Sequence, residues 1–204
     1  MRLVPALTVT ALLTLPAFAS AQTPANCALA NAVDSGSYAA LTIESVARES
    51  GVAKTTIYRR WPTLEDLLVE ALTTWSLEAI PIPETGSIES DLLSTGRELA
   101  AVLNDGVGRQ VAALVLTAGL RSAQLREATR RYFDHQVLRA APVVRQAIDR
   151  GELPADCDVD MLLTTFRAPL FYRTITTGDP IDDTLIIHAT QITLTAARAG
   201  LLST

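Results

Sequence analysis

From Pro24 onward the apolar positions recur with helical spacing, and no alternating strand pattern of useful length interrupts them. Ile43, Val46 and Ala47 share one side of a short segment that starts after Thr42 and ends near Ser50-Gly51. A second short segment follows, from Ala53 to about Trp61, with Ile57 turned inward and Pro62 as its stop. Thr63 then suits the N-cap of a third helix, with Glu65 and Asp66 in its first turn, a favourable charge against the dipole. Its buried stripe reads Leu64, Leu67, Leu68, Ala71, Leu72, Trp75.

Pro81 to Ser87 (PIPETGS) has the composition of a linker. Beyond it the pattern predicts helices from about Ser87 to Asn104, Val107 to Leu120, Arg121 to Arg150, Val159 to Thr177 and Asp182 to Ala199. Upstream, Thr23-Pro24 opens a short helix ending near Ser35-Gly36, after which Tyr38 and Leu41 return to the core. The expected fold class is therefore all-α: a small N-terminal helical unit over residues 25–80 and a larger helical one over 81–204.

Composition supports that expectation. Of 204 residues, 49% are apolar and only 5% aromatic, with Ala and Leu abundant, which suits helix bundles. The net charge of −5 excludes binding to a polyanion by bulk charge alone. Its distribution changes the picture. Residues 41–62 carry four cations (Arg48, Lys54, Arg59, Arg60) against two anions (Glu44, Glu49), a net of +2. Residues 63–204 carry 12 basic and 19 acidic residues, a net of −7. A locally basic segment sits on an acidic body, and it includes the chain's one lysine.

The first residues raise a separate question. Arg2 precedes a run that is apolar to Phe18, and Ala19 and Ala21 stand at the small-residue positions of a cleavage site before Gln22. Pro5 and Pro16 break it, and it falls short of the ~20 apolar residues of a spanning helix. Residues 1–24 are expected to stand outside the fold. An export signal is one reading of them, a misassigned start upstream of a cytoplasmic domain another, and an apolar anchor a third. Cys27 and Cys157 match no metal-ligand spacing and are expected as free thiols. His135 and His188 stand alone on helical faces, with no phosphate-binding loop, nucleophile turn or metal motif nearby in sequence. No enzyme activity, cofactor or metal is expected.

Two short helices joined by a glycine turn form a helix-turn-helix pattern. The residues of the second suit DNA. Thr55 and Thr56 are small enough for close entry into the major groove, and Lys54 reaches a base edge or phosphate. Tyr58, Arg59 and Arg60 can bond phosphates and set register. The competing role for Arg59 and Arg60 is a solvated face, and for Tyr58 and Trp61 core packing.

The wording of residues 40–72, "ALTIESVARESGVAKTTIYRRWPTLEDLLVEAL", together with Tyr38, resembles the DNA-binding region of the TetR family of transcriptional repressors. More loosely, "GELPADCDVDMLLTTFRAPLFYRTITTGDPIDD" is similar to the ligand-binding and dimerisation domain of one branch of that family. The resemblance implies a homodimeric, ligand-responsive repressor of double-stranded operator DNA, cytoplasmic and without an obligatory membrane partner. It assigns DNA contacts to Lys54, Thr55, Thr56, Tyr58, Arg59 and Arg60, and a phosphate contact to Thr42 at a helix N-terminus. Trp61 is expected to pack.

It also implies a small apolar effector held among the helices between Ser87 and Thr177. Leu103, Leu114, Phe133, Phe166 and Leu170 are the candidate lining, with ordinary core as the competing role of each. A two-fold helical interface is implied for Met161, Leu162, Leu185, Ile186, Ala189, Ile192 and Ala196, apolar stripes that need a partner. Two departures from the family pattern stand out. Leu64 occupies a place usually basic, and the apolar run replaces a basic arm. They leave open an exported or membrane-associated helical binding protein that has lost DNA contact.

Overall fold

The computed structural model describes residues 42–79, 83–120 and 122–203, with side chains throughout except at 72–79, 107, 111, 114 and 118. The expectations for residues 1–24, for the short helix after Pro24, and for Tyr38, Leu41 and Cys27 lie outside the described residues. So do those for the side chains of Leu72, Trp75 and Leu114.

Eight helices are described: α1 (Ile43–Ser50), α2 (Lys54–Arg60), α3 (Leu64–Ala79), α4 (Ile88–Asn104), α5 (Gly106–Ala118), α6 (Ala123–Asp149), α7 (Val159–Thr176) and α8 (Asp183–Arg198). Among the described residues the strand-like pairing is a single bridge between Cys157 and Ser203. The expected all-α class holds.

Local chemistry explains the helix ends. Thr42 caps α1 by a capping box: its Oγ1 accepts from the Ser45 amide at 3.0 Å, and the Thr42 amide donates to Ser45 Oγ at 3.2 Å. Gly51 ends α1 at φ 68°, a left-handed conformation that glycine adopts without a Cβ clash. Ser87, Asp158 and Asp182 accept from the amides of Ser90, Met161 and Leu185 and start α4, α7 and α8.

The chain divides into two compact units. Of the described residues, one holds those up to 79 together with those of 110–132; the other holds those of 83–109 and 133–203. The chain crosses between the units near residue 80 and again on either side of residues 110–132. No linker composition marks the other crossings, which fall within α5 and α6.

In the first unit α1 packs on α2, and Ile43, Val46, Ile57, Trp61, Leu67, Leu68 and Ala71 are buried. In the second, α8 packs on α7 and α4 around Leu99, Leu103, Leu162, Phe166, Leu170, Ile186 and Leu194. Gly96 allows the approach of α8 to α4, since a Cβ there would meet Ile186 Cγ2 at 2.5 Å. Arg97 clamps Asp183 through two hydrogen bonds. Glu152 accepts from the first amide of α4, at Ile88, over 2.7 Å. Cys157 is a buried free thiol, and burial, with Asp158 and Asp156 beside it, pushes its pKa up.

Candidate nucleic-acid interface

α2 has seven residues and no side-chain cap at Ala53. A helix that short does not hold itself in water; its anchors are Ile57, fully buried, and Trp61 just past its end, 7% exposed. Both point one way. On the rest of α2, Lys54, Thr55, Thr56, Tyr58, Arg59 and Arg60 are exposed. The six expected contact residues thus form one solvent-facing ridge, and Trp61 packs as expected. Tyr58 is 48% exposed, which leaves its hydroxyl open to an outside partner.

The cations differ in their engagement. Lys54 Nζ lies 2.9 Å from Glu44 Oε1. Arg60 Nη2 donates to Glu70 Oε1 at 2.6 Å, and its guanidinium stands 4.8 Å over the Trp61 ring. Trp61 Nε1 donates to Glu70 Oε2 at 2.8 Å. Glu70 therefore ties the end of α2 to α3, and Arg60 serves this junction as well as the ridge. Arg48 sits 3.7 Å from Glu49. Arg59 has no ion-pair partner among the described residues and is the unopposed charge of the ridge.

Thr42 is exposed at the α1 N-terminus. Its oxygen is used by the capping box, which leaves the hydroxyl proton able to donate to an anion. Glu44, also in that first turn, has its pKa lowered, chiefly by the hydrogen bond from Lys54.

Where a basic residue was expected, the first turn of α3 presents half-buried Leu64, then Glu65 and Asp66. Asp66 accepts from Thr63 Oγ1 at 2.7 Å and from Arg131 Nη1 at 2.8 Å. These two bonds, Thr63 first, hold its carboxyl below the usual range. Two acidic side chains thus stand in the first turn of α3, and the cations Lys54, Arg59 and Arg60 stand on α2.

The other expected sites are redistributed. In the second unit a cleft of about 290 Å³ is lined by Phe133, Val137, Asp160, Leu163, Thr164, Arg167, Ala168 and Phe171. Phe133 and Phe171 meet edge to face at 6.2 Å. Of the five candidate lining residues Phe133 is there; Leu103, Phe166 and Leu170 are instead sealed in the core at 2%, 0% and 0% exposed. A periodic apolar position has the same appearance in sequence whether it lines a cavity or fills a core.

The residues of the expected interface stripe differ in their burial. Leu162, Ile186 and Ala189 are buried within their own chain, and Leu185 and Ala196 are half-buried. Met161 and Ile192 are exposed, and Tyr172, Ile175 and Ile187, which the sequence reading missed, join them. Glu44 and Glu70 were also missed, since each meets its partner on a different helix.

Comparison with known proteins agrees with this geometry. Residues 33–71 match the family described as bacterial regulatory proteins, tetR family. Residues 82–193 match the family described as tetracyclin repressor-like, C-terminal domain. The chain is 30% identical over 159 residues to a DNA-binding transcriptional repressor TetR of Mycobacteroides abscessus, covering 73% of this chain and 78% of that one. It is 26% identical over 147 residues to the HTH-type transcriptional regulator YdeS of Bacillus subtilis, covering 72% and 74%. Among solved structures, the TetR family transcription regulator SCO0332 superposes with a TM-score of 0.68 at 26% identity, covering 85% of this chain and 98% of that one. A short glycine-turned helix pair with a polar, basic ridge, followed by a helical body of matching fold, makes this chain a member of the TetR family of DNA-binding transcriptional regulators.

Proposed function

We propose that the chain works as a homodimeric, ligand-responsive repressor in the cytoplasm. Two copies of α2 enter successive major grooves of a pseudo-palindromic operator, with half-sites one helical turn or a multiple apart. The observation that carries this reading is the ridge of α2: six of its seven residues are exposed, all polar or charged, while Ile57 alone is buried.

Dimerisation is supported by the exposed apolar residues Met161, Tyr172 and Ile175 on α7 and Ile187 and Ile192 on α8. Such faces are covered by partners in stable proteins. A small apolar effector fits the aromatic cleft at Phe133 and Phe171. It would release the operator by favouring a dimer state whose two α2 helices no longer match the groove spacing. No single helix among the described residues is long and apolar enough to cross a membrane.

The test is selection of duplexes from a random library by the purified full chain, with its mass in solution measured alongside. Enrichment of a two-fold related motif by a particle of twice the chain mass is expected. Loss of enrichment on Tyr58→Ala with Arg59→Ala is expected as well. Enrichment of no motif, or DNA retention undiminished by that double change, refutes the docking. Exchange of Ile192 for Glu is expected to yield monomers that retain helicity.

A further inference from the structure

We propose that Glu44 is a specificity-determining residue of the DNA interface, holding Lys54 until a correctly docked groove replaces it. The proposal rests on the reading of α2 as the DNA-contacting helix.

The ridge is electrostatically muted. Of the four cations in residues 41–62, Arg48 faces Glu49, Arg60 faces Glu70 and Lys54 faces Glu44. The Glu44–Lys54 pair differs from the other two. Glu49 adjoins Arg48 on the same helix, and Glu70 also holds Trp61. Glu44 joins α1 to the first residue of α2 across the bend, over 2.9 Å, with both side chains about half exposed, 56% and 52%. Apart from Lys54, the Glu44 carboxylate is engaged by its own backbone amide. The pair is wet and weak enough to be exchanged for another partner.

Glu44 also stands two residues from Thr42, at the end of α1 that faces an approaching anion. Non-specific association with duplex DNA is driven by counterion release, in proportion to the phosphates neutralised. A lysine already matched by a carboxylate neutralises little, and the carboxylate itself repels the backbone. In an operator complex Lys54 trades Glu44 for an acceptor on a base edge. The trade offsets the lost pair only where that acceptor is in reach. Glu44 therefore weakens random binding more than operator binding.

The experiment compares the full-length wild type with Glu44→Gln on the selected operator and on a scrambled duplex, between about 50 and 150 mM salt. In the variant, scrambled-duplex affinity is expected to rise roughly three- to fivefold and operator affinity to change less than about twofold. The salt slope on scrambled DNA is expected to steepen by roughly 0.9, one more phosphate neutralised. In a Lys54→Ala background the gain from Glu44→Gln is expected to shrink to below about twofold. The melting temperature is expected to stay at the wild-type value.

An equal change on both duplexes, no change on either, or an undiminished gain without Lys54 overturns the proposal. Loss of both affinities together with a lower melting temperature overturns it too, making Glu44 merely structural. If the wild type selects and retains no duplex, the assignment of α2 fails before Glu44 is involved.

Discussion

Replacing Ile57 by alanine separates what holds the reading helix from what reads. α2 is too short to persist alone, and Ile57 is its buried residue, at 0% exposed. The substitution removes three buried carbons. At about 0.8 kcal/mol each this is about 2.4 kcal/mol of lost transfer energy. The cavity left behind brings comparable substitutions into the range of about 2–5 kcal/mol. The transfer energy alone raises the undocked fraction of α2 about fiftyfold, at 1.4 kcal/mol per factor of ten. Amide hydrogen exchange at residues 54–61, with urea unfolding alongside, measures it. Exchange there is expected to accelerate by that factor or more, and operator affinity to fall with the docked population. The neighbouring Thr56→Ala is the control: Thr56 is exposed, so stability should change by less than about 0.5 kcal/mol while DNA binding weakens. Unchanged exchange and stability in the Ile57 variant, within about 0.5 kcal/mol, would refute burial of Ile57 as the anchor.

Further outcomes follow from other parts of the molecule. Tyr58→Ala and Arg59→Ala should weaken binding to all duplexes alike, and Arg59→Ala, which removes a cation, should also flatten the salt slope by roughly 0.9, whereas Lys54 or Thr55 changes should alter which motif is selected; binding titrations and repeated selection distinguish the two classes. Gly96→Ala forces a Cβ against Ile186 and Phe166 and should lower stability by about 1–3 kcal/mol in denaturant unfolding without changing α2. Burial raises the Glu152 carboxyl pKa, but the Ile88 amide and Arg150 outweigh it and hold it below the ordinary glutamate value of 4.5. A folded value below the unfolded one means that the stabilisation is complete above that pH and disappears as pH falls through the folded value. Glu152→Gln should therefore melt well below wild type at neutral pH, with the gap closing in acid; a gap independent of pH would count against the bond to α4. Phe171→Ala should remove the edge-to-face wall of the cleft and weaken fluorescence-detected binding of small aromatic probes, leaving operator affinity intact.

Sequence alone determined the helices and their limits, because their determinants are local. Thr42, Gly51, Pro62, Thr63, Ser87, Asp158 and Asp182 cap or break the chain within three or four residues of themselves. α4 and α8 run within one or two residues of their expected ends for this reason. The ridge of α2 was legible too, since one inward Ile among polar neighbours leaves a single orientation. Tertiary structure decided everything that depends on a second element. Pairing of Lys54 with Glu44, and of Arg60 and Trp61 with Glu70, joins residues nine or ten positions apart on separate helices. The choice between core and cleft for Leu103, Phe133, Phe166 and Leu170, and the outward face of α7, were settled by what packs against each helix. Apolar periodicity specifies that a face is covered, but not by which neighbour, nor how completely. That physical limit is why the reading helix could be found from residues alone while the charges that restrain it could not.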